Sequence, residues 1–154
     1  MNTAHREAGF TLIETIVVVT ITALLAGLAA PSFREFIANT QIQASASDLQ
    51  ASLLLARSEA VKRNAPVTVV PAAGGWASGW EVRDQANNVL QVGAPNETVD
   101  VTAATGTVTF LASGRLAGGT LPAFEILDAY ERGEARCLSA DRSGRAYVRL
   151  AACS

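Results

Sequence analysis

The chain has 154 residues, enough for one domain with its own core and an extra segment, but too few for two ordinary domains. Apolar residues make up 49% and charged residues 17%, and the mean hydropathy is +0.24, so this excess of apolar residues indicates a membrane segment. With a formal net charge of −2, the molecule as a whole does not attract nucleic acid or anionic lipid. Any such binding would need a local patch.

A long apolar run occupies residues 10–30, and a helix of this length at about 1.5 Å per residue spans roughly 31 Å, close to the hydrocarbon thickness of a bilayer. Glu14 is its only charged residue, and a carboxylate in a membrane helix is unfavourable by roughly 2.5–3.5 kcal/mol, so it normally has a partner. A secretory signal peptide, indicated by the small residues Gly27 and Ala29, is one alternative, although the run is long for it and contains Glu14. An ordinary membrane anchor is another, and it leaves Glu14 unexplained.

The residues before and around this carboxylate form a motif. Gly9 to Glu14 spell GFTLIE, which closely resembles the processing site of type IV prepilins and type II secretion pseudopilins. The resemblance implies cleavage after Gly9 by a prepilin peptidase and N-methylation of the new terminal residue, Phe10. It also implies that Glu14 of one subunit meets the Phe10 amine of an adjacent subunit.

Three segments follow from the motif. We expect residues 1–9 to be a cleaved leader peptide, residues 10–30 a transmembrane helix that also forms the filament core, and residues 31–154 a periplasmic head. The expected location is the bacterial inner membrane, crossed once, and afterwards a pilus or pseudopilus filament. The implied partners are the prepilin peptidase, the inner membrane, and other major and minor pilins or pseudopilins.

Helical periodicity continues beyond the apolar run. Small and apolar residues recur at alternating spacings of four and three on one face, which predicts an amphipathic helix that packs on a sheet. We expect one helix from Phe10 to Arg63, bent or locally unwound near Pro31, with two separate helices as the alternative. The predicted stripe is Ile42, Ala46, Leu49, Leu53, Ala56 and Ala60.

Short β-type runs bounded by Gly, Pro, Asn and Asp follow after Asn64. Their close spacing without intervening helices predicts antiparallel sheet, so the expected fold class is α+β. Together with the motif, this predicts a type IV pilin-like fold in which a long N-terminal helix, membrane-spanning in its first half, packs on an antiparallel β-rich head. The predicted strands are 66–70, 79–83, 89–92, 107–111, 123–127, 135–139 and 145–150.

The head resembles a particular family, the GspH/FimT group. That resemblance implies a FimT/FimU-like minor pilin or a GspH-like pseudopilin, a structural subunit that contributes to assembly of a type IV pilus or a type II secretion pseudopilus. The motifs that carry it are ARSEAVKR at 56–63, PVTV at 66–69, GWEV at 79–82, and Gly-Arg pairs at 114–115 and 144–145.

Two cysteines, Cys137 and Cys153, lie near the C-terminus without metal-ligand spacing, which favours a disulfide in an oxidising compartment. Two unpaired thiols are the alternative. Many relatives of the GspH/FimT group have a cysteine near Val70, which this chain lacks, so the resemblance leaves Cys137 and Cys153 as the pair.

No catalytic set is predicted. The only histidine, His5, lies in the expected leader, so the mature chain would lack the histidine that Ser-His-Asp or Cys-His chemistry and a His-based zinc site require. We therefore expect a protein that is not an enzyme and has no catalytic residue, cofactor or metal ligand. Trp76 and Trp80 are interpreted as core and loop anchors, with an exposed pair that stacks on a ligand as the alternative.

Arginines surround the last predicted strand. Alternation places Arg145, Tyr147 and Arg149 on one face, and Arg142 comes shortly before them. Guanidinium groups interleaved with an aromatic ring suit a phosphate backbone and a stacked base. A DNA-binding minor pilin for DNA uptake in natural transformation is therefore the alternative function, with these four residues as its site.

A resemblance supports this alternative in part. FimT-like pilins that take up DNA carry a C-terminal Gly-Arg-x-Arg motif, and this sequence matches it at Gly144 and Arg145. Tyr147 stands where the second arginine would be, and Arg149 is the candidate to replace it. A solvated face whose arginines pair with Glu134 and Asp141 is the simpler interpretation.

Overall fold

The computed structural model describes residues 10–103, 106–130 and 132–153, apart from the side chains of residues 28–31. The chain divides into two compact units, Met1–Arg34 and Glu35–Ser154. Helix α1, Leu12–Arg63, contributes residues to both units and runs through Pro31 as one helical element, as expected. The expected leader, residues 1–9, lies outside the described residues.

Helix α1 has recognisable signals at both ends. Thr11 precedes it, and Thr11 Oγ1 accepts a hydrogen bond from the backbone N–H of Glu14 at 3.3 Å, as an N-cap residue does. At the other end Asn64 adopts a left-handed conformation with φ 49°, and its N–H donates to the carbonyl oxygen of Val61 at 3.2 Å. The predicted end of the helix at Arg63 is therefore correct.

In the first unit, every side chain described from residue 10 to residue 27 is exposed. By length and composition, no single helix in the described part of the chain qualifies as a membrane span. The segments Leu12–Gly27 and Ser32–Arg63 meet that criterion only when taken together. The transmembrane helix over residues 10–30 stays a prediction.

In the second unit, the strands form two four-stranded antiparallel sheets, with orders β3-β2-β1-β5 and β4-β6-β7-β8. The α+β class and the antiparallel head are thereby confirmed. The strands are β1 Val67–Ala72, β2 Gly75–Arg83, β3 Val89–Gly93, β4 Val99–Ala103, β5 Val108–Phe110, β6 Ala123–Asp128, β7 Arg136–Ala140 and β8 Ala146–Arg149.

The sequence prediction missed one strand and part of another. Strand β4 was not predicted, because only Val99 and Val101 alternate there as buried apolar residues and the period-two signal is short. Strand β2 begins at Gly75, whereas its predicted start was Gly79. The first half of the strand was missed because it contains glycine and small residues.

The predicted stripe on α1 forms the centre of the core. All six of its residues are at most 1% exposed, and the core cluster joins them to Val69 of the first sheet and to Phe124 and Ile126 of the second. Burying a Leu or Ile side chain contributes about 1.5–3 kcal/mol, so both sheets are held to α1 mainly by this stripe.

Both tryptophans belong to this core. Trp80 Nε1 donates to Ser52 Oγ of α1 at 2.9 Å, and the ring of Trp76 meets that of Phe124 edge-on, with centroids 4.7 Å apart. Trp76 and Trp80 are buried. The anchoring role is confirmed, and the alternative of an exposed aromatic pair for a ligand is wrong.

Candidate functional site

The predicted assembly residues lie at the beginning of α1. Phe10 is 82% exposed, and Glu14 is an exposed acidic residue in the first turn of the helix. Within the described residues Glu14 has no ion pair. Gly9, the predicted processing residue, lies outside them. A carboxylate on an apolar helix therefore has no cation from the described part of its own chain.

The two cysteines form a disulfide, so the prediction is confirmed and the alternative of unpaired thiols is wrong. The bond joins β7 to the C-terminal tail across a sequence separation of 16 residues. Closing a loop of about 15 residues stabilises a fold by about 3 kcal/mol in the chain-entropy account. Cys137 is the register partner of Arg149, so the bridge holds the tail beside the end of β8.

Strand β8 positions the predicted arginine face. Ala146 is buried and its carbonyl oxygen accepts a hydrogen bond from Gln50 Nε2 of α1, while Arg145 and Arg149 are exposed and Tyr147 is half-buried. The guanidinium of Arg149 lies over the Tyr147 ring, 5.0 Å from its centroid. The predicted alternation along β8 is therefore present, and its solvent side carries two arginines and a tyrosine.

The predicted ion pairs of this face are half correct. Arg145 Nε lies 3.6 Å from Asp141 Oδ2, as the solvated-face interpretation expects. Glu134 makes no ion pair with an arginine in the described part of the chain. Arg142 is exposed, and its side chain forms no hydrogen bond or ion pair with any described residue.

Neighbouring arginines are engaged in structural roles. Arg132 donates two hydrogen bonds to the buried carboxylate of Asp128, at 3.0 and 3.1 Å, and stacks on Tyr130. Arg136 Nη2 donates to Gln43 Oε1 at 3.3 Å. Because their side chains are already hydrogen-bonded within the protein, Arg132 and Arg136 are not counted among the arginines available to a ligand.

Two turns with the same tripeptide lie next to the arginine face. In the first, Gly114 N–H donates to Leu111 O and Leu111 N–H to Arg115 O, both at 2.8 Å. In the second, Gly144 N–H donates to Asp141 O at 2.9 Å and Asp141 N–H to Arg145 O at 3.1 Å. The tripeptides are Ser113-Gly114-Arg115 and Ser143-Gly144-Arg145. Their backbone hydrogen bonds follow one pattern, so the two turns are equivalent.

The two turns meet beside helix α1. Arg57 Nε donates to Gly114 O at 3.1 Å, and Leu116 N–H donates to Arg142 O at 3.4 Å. A Cβ on Gly144 would overlap Gly114 O and lie 3.3 Å from Arg57 Nε. Only glycine allows this approach of the two backbones, and Arg115 of one turn and Arg142 and Arg145 of the other are all exposed.

The contact between these turns was not predicted. The Gly-Arg pairs at 114–115 and 144–145 were expected only as family motifs, and no role was predicted for Arg57 or Arg115. The repeated Ser-Gly-Arg tripeptide was the available signal, because equal tripeptides after a strand favour equal turns. That the turns touch depends on the packing of both sheets against α1.

The N-terminal helix is exposed and apolar over residues 12–27, carries Glu14 in its first turn, and is followed by a β-rich head. These features define a type IV pilin-like subunit. The model of the family described as type II transport protein GspH matches residues 45–144, and the prokaryotic N-terminal methylation motif matches residues 4–30. Because the first match covers well over half of the chain, the protein belongs to the GspH family, a family of minor pilins and pseudopilins. The methylation motif implies processing by a prepilin peptidase.

Solved structures agree with this assignment. The type IV minor pilin FimU of Pseudomonas aeruginosa is 25% identical with a TM-score of 0.61, over 70% of this chain and 91% of that one. The minor pseudopilin EpsH from the Type 2 Secretion System of Vibrio cholerae is 16% identical with a TM-score of 0.56, over 73% and 97% of the two chains. The likeness to EpsH shows the fold alone. No curated protein matches the chain.

Proposed function

We propose that this protein is a structural subunit in the assembly of a type IV pilus or a type II secretion pseudopilus, and that it acts by helix packing and has no catalytic activity. The observation that carries the proposal is Glu14, a carboxylate in the first turn of an exposed apolar helix with no cation beside it in the described residues. A carboxylate moved into apolar surroundings needs an opposite charge.

The N-terminus of a neighbouring subunit supplies that charge. Cleavage after Gly9 gives Phe10 a positively charged amine, which N-methylation leaves charged. When residues 10–27 of two subunits pack together, their apolar side chains exclude water, and the Coulomb attraction between amine and carboxylate rises as the local dielectric falls. Glu14 thereby sets the register in which a new subunit joins the filament.

The three predicted segments fit this role. Residues 1–9 form the leader removed by the prepilin peptidase, residues 10–30 cross the inner membrane before assembly and line the filament core afterwards, and residues 31–154 form the periplasmic head. The disulfide between Cys137 and Cys153 supports the placement of the head, because such bonds persist in an oxidising compartment such as the periplasm.

Replacement of Glu14 tests this function. Glu14→Ala should reduce the fraction of the subunit recovered in sheared filaments, while its level in the membrane stays near that of the wild type. Glu35→Ala is the matched control, because Glu35 is an exposed acidic residue of the same helix outside the motif. Full incorporation of Glu14→Ala would reject the proposed role of the carboxylate.

A second function, DNA binding by the head for uptake in natural transformation, is favoured by a specific observation. The side chain of Arg142 is exposed and has no polar partner among the described residues, and Arg149 stacks on Tyr147. These groups offer a phosphate contact and an aromatic surface for a base. Arg145, although paired with Asp141, is held only at the surface, where such pairs contribute about 0–1 kcal/mol and exchange readily.

A salt-dependent binding assay tests the second function. The full chain in detergent should bind a fluorescent oligonucleotide at low salt, and Arg145→Ala/Arg149→Ala should bind more weakly. Arg63→Ala/Arg83→Ala removes the same charge at the end of α1 and on β2, in the other sheet, and serves as the control. Equal binding by the wild type and the Arg145→Ala/Arg149→Ala variant would remove this face as the site.

A further inference from the structure

We propose that the two Ser-Gly-Arg turns together form one composite site for the phosphate groups of a nucleic acid strand, with Arg115 and Arg142 as its principal contacts. The inference rests on the second proposed function and moves its centre from the face of β8 to the junction of the two turns. This junction is defined by residues 111–116 and 141–145, which pack against Arg57 of α1.

The charge at this junction is available to a ligand. Arg115 and Arg142 are exposed, and neither side chain forms a hydrogen bond or ion pair with the residues that the structure describes. Arg145 adds a third guanidinium group, and Asp141 is the one acidic residue of the two turns. The junction is therefore a local excess of positive charge on a protein whose formal net charge is −2.

Four other cations of the head form ion pairs with carboxylates. Lys62 and Arg63 pair with Glu59, at 3.3 and 2.7 Å. Arg83 pairs with Glu81 and Arg132 with Asp128, at 2.7 and 3.0 Å. Arg115 and Arg142 form no ion pair with the described residues, so no carboxylate in the described part of the chain neutralises them.

The carboxylate of Asp141 is occupied within its own turn. Its Oδ1 accepts hydrogen bonds from the Ser143 side chain and from the backbone N–H groups of Ser143 and Arg145. The hydrogen bond from the Ser143 side chain and that from the Arg145 backbone lower the pKa of Asp141, so it stays ionised and faces Arg145. Arg115 and Arg142 receive no such compensation and carry the free charge.

Hydrogen bonds within the protein hold the backbone under these arginines. Gly114 and Gly144 hold left-handed conformations with φ 74° and 83°, and Arg57 Nε is hydrogen-bonded to Gly114 O. Leu116 N–H then links the first turn to Arg142 O of the second. A preorganised pair of turns loses little conformational entropy on binding, which favours recognition of a charged strand.

The first turn supplies a guanidinium group in place of the second arginine of the Gly-Arg-x-Arg motif, which this chain lacks. Tyr147 replaces the second arginine, and its ring is covered by Arg149. Arg115 brings a guanidinium group to the junction from a different strand connection. In a nucleic acid strand, the phosphate groups bind the forked guanidinium groups and a base stacks on the aromatic ring. An acidic protein surface would use only the guanidinium groups.

The test compares single neutral substitutions in the full chain in detergent. Binding of a fluorescent duplex and of its separated single strand is measured over a range of salt concentrations, for the wild type and for Arg115→Gln, Arg142→Gln and Arg83→Gln. Arg83→Gln is the matched control, because it removes one partly exposed positive charge from β2, in the other sheet. The two probes distinguish duplex from single-strand phosphates as the source of the ligand.

Arg115→Gln and Arg142→Gln should each weaken binding by about three- to tenfold at low salt, and each should lower the slope of log affinity against log salt by about 1, as loss of one phosphate contact does. Arg83→Gln should change neither quantity. If Arg142→Gln weakens binding but Arg115→Gln behaves as Arg83→Gln does, the composite site is wrong while DNA binding stands. If the wild type binds neither probe, the second proposed function and this inference both fail, and the assembly role is unaffected.

Discussion

The side chains of Asp128 and Arg132 form a forked ion pair, in which Arg132 Nε and Nη2 donate to Asp128 Oδ2 and Oδ1 at 3.0 and 3.1 Å. The carboxylate is buried, and it also accepts hydrogen bonds from the backbone N–H groups of Tyr130 and Arg132. These contacts fix the connection after β6. The pair therefore stabilises the head close to the disulfide-linked strand β7.

The pKa of Asp128 gives this pair a defined pH dependence. The side-chain hydrogen bonds from Arg132 hold the pKa of Asp128 below its ordinary value, despite burial, which raises it. Stability from a lowered pKa is present above the unfolded value of about 3.9 and is lost as the pH falls through the folded value. We expect the free energy of unfolding to fall in this acidic range, and to fall less steeply in Asp128→Asn.

At neutral pH, Asp128→Asn should lower the free energy of unfolding by about 1–3 kcal/mol, because buried donors lose a charged acceptor. Denaturant titration measures both effects. Asp100→Asn, at an exposed position of β4, is the control. Identical acid profiles for the wild type and Asp128→Asn would show that the pair does not cause the pH dependence.

Gly144→Ala should destabilise the head more than Gly118→Ala does. Both glycines have a left-handed φ, 83° and 85°, so each substitution carries a similar backbone cost of about 1–2 kcal/mol. Only at Gly144 would the new Cβ overlap the backbone, at Gly114 O, which adds about 1–3 kcal/mol of overpacking. Thermal melts compare the two variants, and equal melting temperatures would contradict the close contact between the turns.

The disulfide predicts a mass difference and a loss of stability. Reduction of the protein purified without reductant should raise its intact mass by about 2 Da, one hydrogen for each sulfur. Cys153→Ser should lower the free energy of unfolding by about 3 kcal/mol, because the loop is no longer closed. Cys137→Ser/Cys153→Ser should behave like the single variant, since one bond is lost in each. An unchanged mass on reduction would contradict the bridge.

Gly9→Val should block processing, because a branched side chain replaces the glycine that the proposed processing site has before the cleaved bond. In cells with an active prepilin peptidase, the variant should keep the slower migration of the unprocessed chain. Gly27→Val, at a glycine far from the GFTLIE sequence, should be processed normally. Normal migration of Gly9→Val would place the cleavage elsewhere.

Much of the architecture was predictable because it depends on local pattern. The stripe from Ile42 to Ala60 follows helical periodicity, so its burial could be foreseen. Strand β4 could not, because two alternating valines give too weak a signal to separate a strand from a loop. The candidate assembly residues were identified from the GFTLIE motif, which is contiguous in sequence.

The sequence by itself determined the family, the helix and its buried face, and which cysteines could pair, since each depends on a contiguous motif, a fixed period or the presence of a single pair. Only the tertiary structure decided that residues 111–116 and 141–145 form one surface. Their contact requires both sheets to pack against α1, where Arg57 donates to Gly114 O and this oxygen leaves no room for a side chain at Gly144. Such contacts join residues far apart in the chain, and no local pattern encodes the distance between them.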